Sequence, residues 1–428
     1  MTDDVLFVGH SLVGQTMPRM LDALLPTSML VRAQVINGSP LIYNWDNGTG
    51  AEGVNARAVL PSGAFGTLVL TEAIPLATHL QWSNTHGIAR AYAGLAWAAN
   101  PSARVMIYET WHEIGASAAA WRANLTSDLA LWQGIATHVN AVKPAAAPQV
   151  GIVPGGQAMG LLYDAIVTGR GQGLTQITQL FTDQMHLNDA GNYLISLVQF
   201  AAISGRSPIG LTDRLTGEWG QAYGGWTTEQ TILFQHVAWE AAARALGARL
   251  APGTVLPQLV LGTTANETLN GGQGHDRVYG NRGNDTINGH NGNDLLSGER
   301  GHDSLNGGAG DDFLLGGNDR DLLIGGLGND RLHGEAGNDT LTGGAGADDF
   351  VFSRRGGADR ITDFTRTQGD QIFLDDALWT GTRSAAQVVT SFASVTAEGV
   401  LFNFGANGTL LLQGVTSTTG LAAMIEIY

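Results

Sequence analysis

Residues 307–330 run GGAGDDFLLGGNDRDLLIGGLGND, and this stretch decides the fold of the last third of the chain. A nine-residue unit repeats in it, with glycine first, aspartate sixth and an apolar residue eighth. The unit occurs nine times without slippage, starting at Gly271, Gly280, Gly289, Gly298, Gly307, Gly316, Gly325, Gly334 and Gly343. A degenerate unit, residues 262–270 with Glu267 in place of aspartate, precedes them. A period held over so many units predicts stacked turns rather than a flexible Gly/Asp-rich linker.

The repeat also predicts a row of metal sites. Its glycines permit tight left-handed turns that aim carbonyl oxygens inward, while the apolar eighth residue fills a narrow core. Stacked turns place carboxylates and carbonyls of neighbouring units face to face, which supplies the roughly six to eight hard oxygen ligands that Ca²⁺ prefers. We therefore predict several structural Ca²⁺ ions at the sixth-position aspartates: Asp276, Asp285, Asp294, Asp303, Asp312, Asp321, Asp330, Asp339 and Asp348.

These units resemble the RTX, or hemolysin-type calcium-binding, family, whose repeat is Gly-Gly-x-Gly-x-Asp-x-apolar-x. The resemblance implies an all-β parallel β-roll over residues 262–351 and a secreted, extracellular protein. It further implies export by type I secretion machinery, with an uncleaved signal in a β-rich segment at residues 352–428. Altered or weaker sites are expected where other residues replace the second glycine (Asn281, His290, Glu299, Glu335) or the fourth-position glycine (Asp319).

Composition and charge agree with a cation-dependent tail. The chain has 428 residues, no cysteine and a formal charge of −16. Residues 262–351 carry fifteen Asp and Glu against five Arg, a local balance of −10, so compaction of this segment is expected to depend on cations. A nucleic-acid partner is excluded because phosphate binding needs a basic surface. No apolar run approaches the about 18 residues of a transmembrane segment, and the acidic start does not resemble a cleaved signal peptide.

The first part of the chain alternates short β-branched runs with helical patterns, which predicts an α/β domain with a mostly parallel sheet at residues 1–250. Residues 251–261, with prolines at 252 and 257, are interpreted as a linker. Strands are predicted at residues 5–8, 31–36, 67–71, 104–108 and 150–153. Helices are predicted at residues 12–24, 85–99, 118–142, 158–167, 188–203 and 227–246, the last with a capping box at its start and Gly247 at its end.

Two motifs predict catalysis. Gly9-His10-Ser11-Leu12 follows the first strand and opens the first helix, where main-chain N–H groups hold an oxyanion. A serine that only caps a helix is the simpler alternative. Asp183 stands three residues before His186, close enough on a loop to accept from one ring nitrogen while the other takes a proton from a serine. An α/β-hydrolase elbow fits less well, because a second glycine is missing after Ser11.

Over roughly residues 3–205 this arrangement resembles the SGNH hydrolase (GDSL esterase/lipase) superfamily, with His10 in place of the usual aspartate. The resemblance implies a three-layer, flavodoxin-like domain with a Ser11-His186-Asp183 triad and an oxyanion hole formed by the amides of Ser11 and Gly38. The family's third donor, an asparagine, is missing after the third predicted strand. Its role falls to a main-chain amide or to one of three side chains: Asn37, Asn84 or His86.

Glu109 and Trp111 follow the fourth predicted strand, so they are candidates for a substrate wall, although a tryptophan at a strand end is often part of the core. The predicted function is a secreted serine esterase that removes acyl groups, in particular acetyl, from an extracellular polysaccharide. A lipase or short-chain carboxylesterase is the alternative within this class. A non-enzymatic, calcium-dependent adhesion or glycan-binding protein is the alternative from another class.

Overall fold

The computed structural model describes residues 4–10, 16–26, 28–37, 39–115, 117–212, 215, 222–247 and 257–428. The chain divides into two compact units, Met1–Thr254 and Val255–Tyr428. Among the residues described, no helix combines the length and the apolar character needed to cross a membrane.

A six-stranded sheet forms the centre of the first unit. Its strands are β1 (Asp4–Gly9), β2 (Val31–Val35), β3 (Glu52–Gly53), β4 (Phe65–Leu70), β5 (Arg104–Glu109) and β6 (Gly151–Pro154). They lie in the order β3-β2-β1-β4-β5-β6. All neighbours pair in parallel except the short β3, which pairs antiparallel with β2. The chain therefore starts in the middle of the sheet and winds outward in both directions, which brings the carboxyl ends of the parallel strands to one edge.

Helices cover both faces of this sheet. They are α1 (Thr16–Leu24), α2 (Leu41–Asn47), α3 (Ala56–Val59), α4 (Leu76–Trp82), α5 (Thr85–Ala99), α6 (Ala118–Asn140), α7 (Gly155–Val167), α8 (Asp189–Ser204) and α9 (Thr228–Leu246). Alternate residues of β1 enter different cores: Val5 and Phe7 pack with α1, α7, α8 and α9, whereas Leu6 and Val8 pack with α2, α3 and α5. A parallel strand buried on both faces needs apolar residues at every position, which explains the run Val5-Leu6-Phe7-Val8.

The predicted α/β class with a parallel sheet is confirmed for this unit. All five predicted strands are present, shifted by one or two residues at their ends, and α5 has the predicted bounds. The predicted capping box at the start of α9 is present, with Thr227 and Gln230 each accepting a main-chain N–H of the other. Three short helices, α2, α3 and α4, were not predicted, because four to seven residues are too few to show helical periodicity.

The second unit is built from two stacks of short, mostly parallel strands. One stack contains β8 (Thr268–Gly272), β10 (Thr286–Asn291), β12 (Ser304–Ala309), β14 (Leu322–Leu327) and β16 (Thr340–Ala345). The other contains β7 (Leu259–Leu261), β9 (Arg277–Tyr279), β11 (Leu295–Arg300), β13 (Phe313–Asn318), β15 (Arg331–Ala336) and β17 (Asp349–Phe352). Successive repeats alternate between the sheets, so a residue pairs with its equivalent 18 positions later, as Leu305 does with Leu323. The predicted parallel β-roll is confirmed.

A single file of apolar side chains fills the space between the two sheets. It consists of the eighth residue of each unit: Val278, Ile287, Leu296, Leu305, Leu314, Leu323, Leu332, Leu341 and Phe350, all of them buried. Each repeat thus contributes one core side chain, which is too little to hold a turn in place by itself. The roll has to stack, and needs other interactions, to be stable.

Residues 352–428 continue both sheets of the roll. Their strands are β18 (Ala358–Ile361), β19 (Gln371–Leu374), β20 (Ala393–Val395), β21 (Gly399–Asn403), β22 (Thr409–Gln413) and β23 (Ile425–Ile427), and α10 (Ala385–Phe392) lies among them. β18 extends the sheet of β16, and β19 extends the sheet of β17. Aromatic side chains make the core wider here than in the roll, with the rings of Phe352 and Phe404 stacked 5.7 Å apart.

Candidate active site and calcium-binding roll

The loop between residue 181 and α8 holds Asp183 and His186 in contact. Nδ1 of His186 lies 2.7 Å from Oδ2 of Asp183, and the main-chain N–H groups of Met185 and His186 both donate to Oδ1 of Asp183 at 2.7 Å. These hydrogen bonds, those from His186 foremost, lower the pKa of Asp183 to about 2. The carboxylate is therefore ionised at any pH near neutrality and orients the imidazole ring.

The base of this loop is closed by its own main chain. The N–H of Thr182 donates to the carbonyl of His186 at 2.8 Å, and Phe181 and Leu187 form an antiparallel bridge. Asn188 then caps α8, accepting the N–H of Gly191 at 3.1 Å. The sequence Asp-x-x-His-x-Asn thus combines a tight turn with a helix start, which fixes both functional side chains relative to the sheet.

The loop after β5 donates two hydrogen bonds to the loop that carries His186. The buried indole N–H of Trp111 donates to the carbonyl of Met185 at 2.9 Å, and the N–H of Ile114 donates to the carbonyl of Gln184 at 3.0 Å. The ring of Trp111 also packs edge-on against Phe181, with the ring centres 6.4 Å apart. Trp111 therefore positions Met185, the residue directly before His186, and its side chain does not face solvent.

Glu109 and Trp111, the residues of the predicted substrate wall, both have side chains that are buried among protein groups. Glu109 accepts from the Nε2 and the main-chain N–H of Gln157, at 2.6 and 3.3 Å. Burial, only partly offset by these hydrogen bonds, raises the pKa of Glu109 to about 7. The sequence does place both residues at the carboxyl edge of the sheet, but their side chains turn inward.

Glu72, the residue two positions after β4, anchors several loops of this edge. Its Oε1 accepts the main-chain N–H groups of Leu41, at 2.7 Å, and Ala73, at 2.8 Å, while its Oε2 accepts the hydroxyl of Thr85 at 2.6 Å. The ring of His10 donates to the main-chain carbonyl of Glu72. The carboxylate is fully buried. Through its carboxylate and its carbonyl together, Glu72 joins the loops after β1, β2 and β4. An acidic residue close after a buried strand was a signal that Glu72 has a role here, but it did not identify the partners of its carboxylate.

His10, the first residue after β1, is influenced electrostatically by His186. Its ring is buried, and burial is the main reason why the pKa of His10 falls to about 4; the charges of His79 and His186 lower it further. His10 is therefore neutral at physiological pH. The effect of His186 on the pKa of His10 indicates that the residue after β1 lies within electrostatic range of His186.

Ser11 and Gly38, the predicted nucleophile and oxyanion-hole glycine, lie outside the described residues. The three side chains considered for the third donor are all described. Asn37 is exposed, Asn84 precedes α5 with φ of 47°, and His86 packs edge-on against His138 with ring centres 4.5 Å apart.

In the roll, the sixth-position aspartates form a ladder. In seven of the nine, from Asp294 to Asp348, Oδ1 accepts the main-chain N–H of the aspartate two units earlier; Asp294, for example, accepts from Asp276 at 2.7 Å. Oδ1 of Asp276 and Asp285 accepts from the main-chain N–H of Gln258 and Glu267 instead. Oδ2 is buried in all nine, and among the residues described it has no hydrogen-bond partner. Burial raises the pKa of these carboxyl groups, to about 9 for Asp312 and about 8 for Asp321.

A buried carboxylate oxygen without a partner is costly unless a cation is bound to it. The arrangement fits Ca²⁺, because each Oδ2 faces the first glycine of its own unit and the carbonyl groups of the next turn. A β-carbon added to Gly307 would clash with Oδ2 of Asp312 and would lie 2.7 Å from the carbonyl oxygen of Gly325. Within the described chain no three acidic or histidine side chains converge on one point, so carbonyl groups would complete the coordination of each ion.

The irregular positions of the repeat keep the backbone of the regular ones. Four residues that replace the second glycine adopt the left-handed conformation, with φ between 65 and 77°: Asn281, His290, Glu299 and Glu335. Asp319, at the fourth position of its unit, has φ of 76°. Non-glycine residues pay about 1–2 kcal/mol for this conformation, so the predicted weak points are positions of backbone strain.

The family model described as RTX calcium-binding nonapeptide repeat (4 copies) matches residues 261–296, 289–323 and 324–352. The chain thus contains RTX calcium-binding repeats, as the resemblance implied, and proteins with such repeats are typically secreted. No curated protein is similar enough to count as a relative.

Three solved structures show distant likeness. A DUF4886 family protein from Bacteroides uniformis has 16% sequence identity and a TM-score of 0.35, and the match covers 59% of this chain and 98% of that one. The AlgE6R3 subunit of the Azotobacter vinelandii mannuronan C5-epimerase has 25% identity and a TM-score of 0.19, covering 41% and 86%. The extracellular lipase LipA from Serratia marcescens has 14% identity and a TM-score of 0.22, covering 81% and 71%. All three scores are too low to assign a function.

Proposed function

We propose that this chain is an exported serine esterase whose catalytic unit precedes a calcium-dependent RTX roll. Ser11 is the nucleophile, His186 the general base and Asp183 the residue that orients it. The amides of Ser11 and Gly38 form the oxyanion hole. A type I secretion system exports the chain, and extracellular Ca²⁺ then folds the roll through its nine ladder aspartates.

The observation that carries this proposal is the pairing of Asp183 with Nδ1 of His186 at 2.7 Å, at the edge to which His10 belongs. A carboxylate on one imidazole nitrogen sets the tautomer in which the other nitrogen accepts a proton. The serine next to His10 in sequence follows a buried strand and precedes a helix. Those three groups in that order are what acyl transfer requires.

The reaction proceeds in two halves. Ser11 Oγ attacks the acyl carbonyl carbon while its proton passes to Nε2 of His186, and the imidazolium formed is stabilised by Asp183. The tetrahedral intermediate then collapses, the C–O bond to the alcohol breaks, and His186 returns the proton to the leaving oxygen. In the second half, water loses a proton to His186 and attacks the acyl carbon. The bond between that carbon and Oγ of Ser11 breaks, His186 returns the proton to Oγ, and the carboxylic acid leaves.

Acetylated polysaccharide is the proposed substrate class, with a lipid or short-chain ester as the variant within the same chemistry. An exported enzyme meets polymers outside the cell. The RTX roll supports the location outside the cell.

Hydrolysis of 4-nitrophenyl acetate by the full-length, calcium-loaded protein tests the proposal. We expect Ser11→Ala to lower kcat/KM on the order of 10⁴-fold or more, since the nucleophile is lost. Ser39→Ala, at a buried hydroxyl that donates to the carbonyl of Ile36, is the matched control for loss of a serine at this edge. Equal rates for wild type and Ser11→Ala would leave a non-enzymatic, glycan-binding protein as the better account.

A further inference from the structure

Trp82 is the most exposed large apolar side chain of those the structure describes. Its side chain is 76% exposed at the end of α4, whereas Trp111, Trp121 and Trp132 are fully buried. An indole left this exposed adds little to the core, and it offers a ligand a large apolar face together with a polar N–H.

The segment that carries Trp82 starts and ends at one carboxylate. The N–H of Ala73 donates to Oε1 of Glu72 at the start, and the hydroxyl of Thr85 donates to Oε2 at the end. Thr85 also donates to the carbonyl of His79 at 3.2 Å. Residues 73–85 therefore leave the edge at which His10 and His186 lie and return to it. Both ends of this segment, which contains α4, are anchored at Glu72.

The side chains of this segment are uncharged, and many of them can form hydrogen bonds. Residues 73–89 contain no Asp, Glu, Lys or Arg. Gln81 and Asn84 flank Trp82 and are exposed, and Nδ1 of His79 lies 3.1 Å from the hydroxyl of Ser83. A membrane surface or a nucleic acid would call for Lys and Arg. A polyanion would call for them too, and residues 1–254 carry 16 Asp and Glu against 12 Lys and Arg, a balance of −4.

We propose that Trp82, with Gln81 and Asn84 at its rim, forms a subsite for a neutral sugar ring of the substrate. The C–H face of a pyranose stacks on the indole, while its hydroxyl groups exchange hydrogen bonds with the two amides. The subsite rests on the proposed esterase function and specifies its substrate as an acetylated, uncharged polysaccharide. Trp82 is a specificity residue, since it acts on a ring next to the ester rather than on the reacting atoms.

The test compares a saccharide ester with a small ester. We expect Trp82→Ala to lower kcat/KM for an acetylated xylo-oligosaccharide about tenfold more than for 4-nitrophenyl acetate, mainly through KM, and Trp82→Phe to recover part of the loss. Leu327→Ala, at an exposed leucine of the roll, is the control and leaves the ratio unchanged. An unchanged ratio for Trp82→Ala overturns the subsite.

Binding separates this inference from the catalytic proposal. In a Ser11→Ala background, calorimetry with the acetylated xylo-oligosaccharide should give a Kd about tenfold weaker when Trp82 is also replaced by alanine. Equal Kd values, or no binding by Ser11→Ala itself, overturn the subsite while the esterase chemistry stands or falls on 4-nitrophenyl acetate alone. Tighter binding of acetylated alginate, an anionic polymer, would contradict the assignment to a neutral sugar.

Discussion

Asp183 and His186 are joined twice, through the side chain and through the main chain. Oδ2 of Asp183 lies 2.7 Å from Nδ1 of His186, and Oδ1 accepts the N–H of the same histidine at 2.7 Å. The second contact fixes the rotation of the carboxylate, so the first is directed by the fold of the loop and not by chance encounter of two exposed side chains.

This double contact predicts a large effect of Asp183→Asn. The asparagine carbonyl would be retained by the two main-chain N–H groups, and its NH₂ would then face Nδ1 and force the wrong tautomer on His186. We expect kcat for 4-nitrophenyl acetate to fall by about 10³–10⁴-fold, with little change in KM. Asp189→Asn, in the first turn of α8, is the matched control and keeps wild-type activity. A loss below tenfold for Asp183→Asn would argue against an orienting role.

Removal of calcium is predicted to unfold the second unit selectively. Without the ion, nine buried carboxylates lack a partner on Oδ2, and each repeat contributes only one side chain to the core between the sheets. We expect EDTA to expand the protein in size-exclusion chromatography and to expose the arginines of the roll to trypsin, while the helical circular dichroism of the first unit persists. Mg²⁺ should not restore the fold, since it demands a smaller octahedral site. An unchanged hydrodynamic radius in EDTA would refute this account of the roll.

The raised pKa of Glu109 should make the stability of the first unit depend on pH. The pKa of this buried carboxyl is raised from its ordinary value of 4.5 to about 7, so the folded state holds its proton more tightly than the unfolded state. Stability is therefore lost as the pH rises from about 4.5 through 7. Since one pKa unit corresponds to about 1.4 kcal/mol, Glu109→Gln should gain about 2–3 kcal/mol relative to wild type between pH 5 and pH 8.

Calorimetry of the calcium-loaded protein at the two pH values checks the Glu109 prediction. Glu113→Gln, at an exposed neighbour, should follow the wild-type pH dependence. Parallel curves for Glu109→Gln and wild type would mean that Glu109 is not the group responsible.

Replacement of Asp319 by glycine should stabilise the roll. Its φ of 76° is unfavourable for a residue with a β-carbon, and it adds charge next to Asp303 and Asp321. Asp319→Gly should raise the free energy of unfolding of the second unit by about 1 kcal/mol at saturating Ca²⁺. Asp319→Asn removes the charge but keeps the β-carbon, so a smaller gain for it in thermal unfolding would separate strain from repulsion. A lower Tm for the glycine variant would contradict the strain argument.

The roll was predictable because every structural need repeats every nine residues: Gly307, Asp312 and Leu314 have equivalents in each unit, so a single pattern fixes turn, ligand and core. The parallel sheet was predictable as well, since strands such as β1 are apolar on both faces. The directions of Glu109 and Trp111 were not predictable, because a strand-end residue can turn toward the site or toward the core, and the choice depends on partners distant in sequence, Gln157 and Met185. The anchoring role of Glu72 was not predictable for the same reason, because its partners Leu41 and Thr85 are distant from it in the sequence.

Covalent labelling of the nucleophile tests the central claim most directly. The calcium-loaded, full-length protein is treated with a fluorophosphonate, which phosphonylates only an activated serine, and its tryptic peptides are sequenced by tandem mass spectrometry. Ser11 lies in the peptide of residues 1–19, with no other serine in it. We predict stoichiometric labelling of Ser11 in the wild type and its loss in His186→Ala. Absence of label on Ser11 in the wild type, or undiminished label in His186→Ala, would contradict the proposed triad.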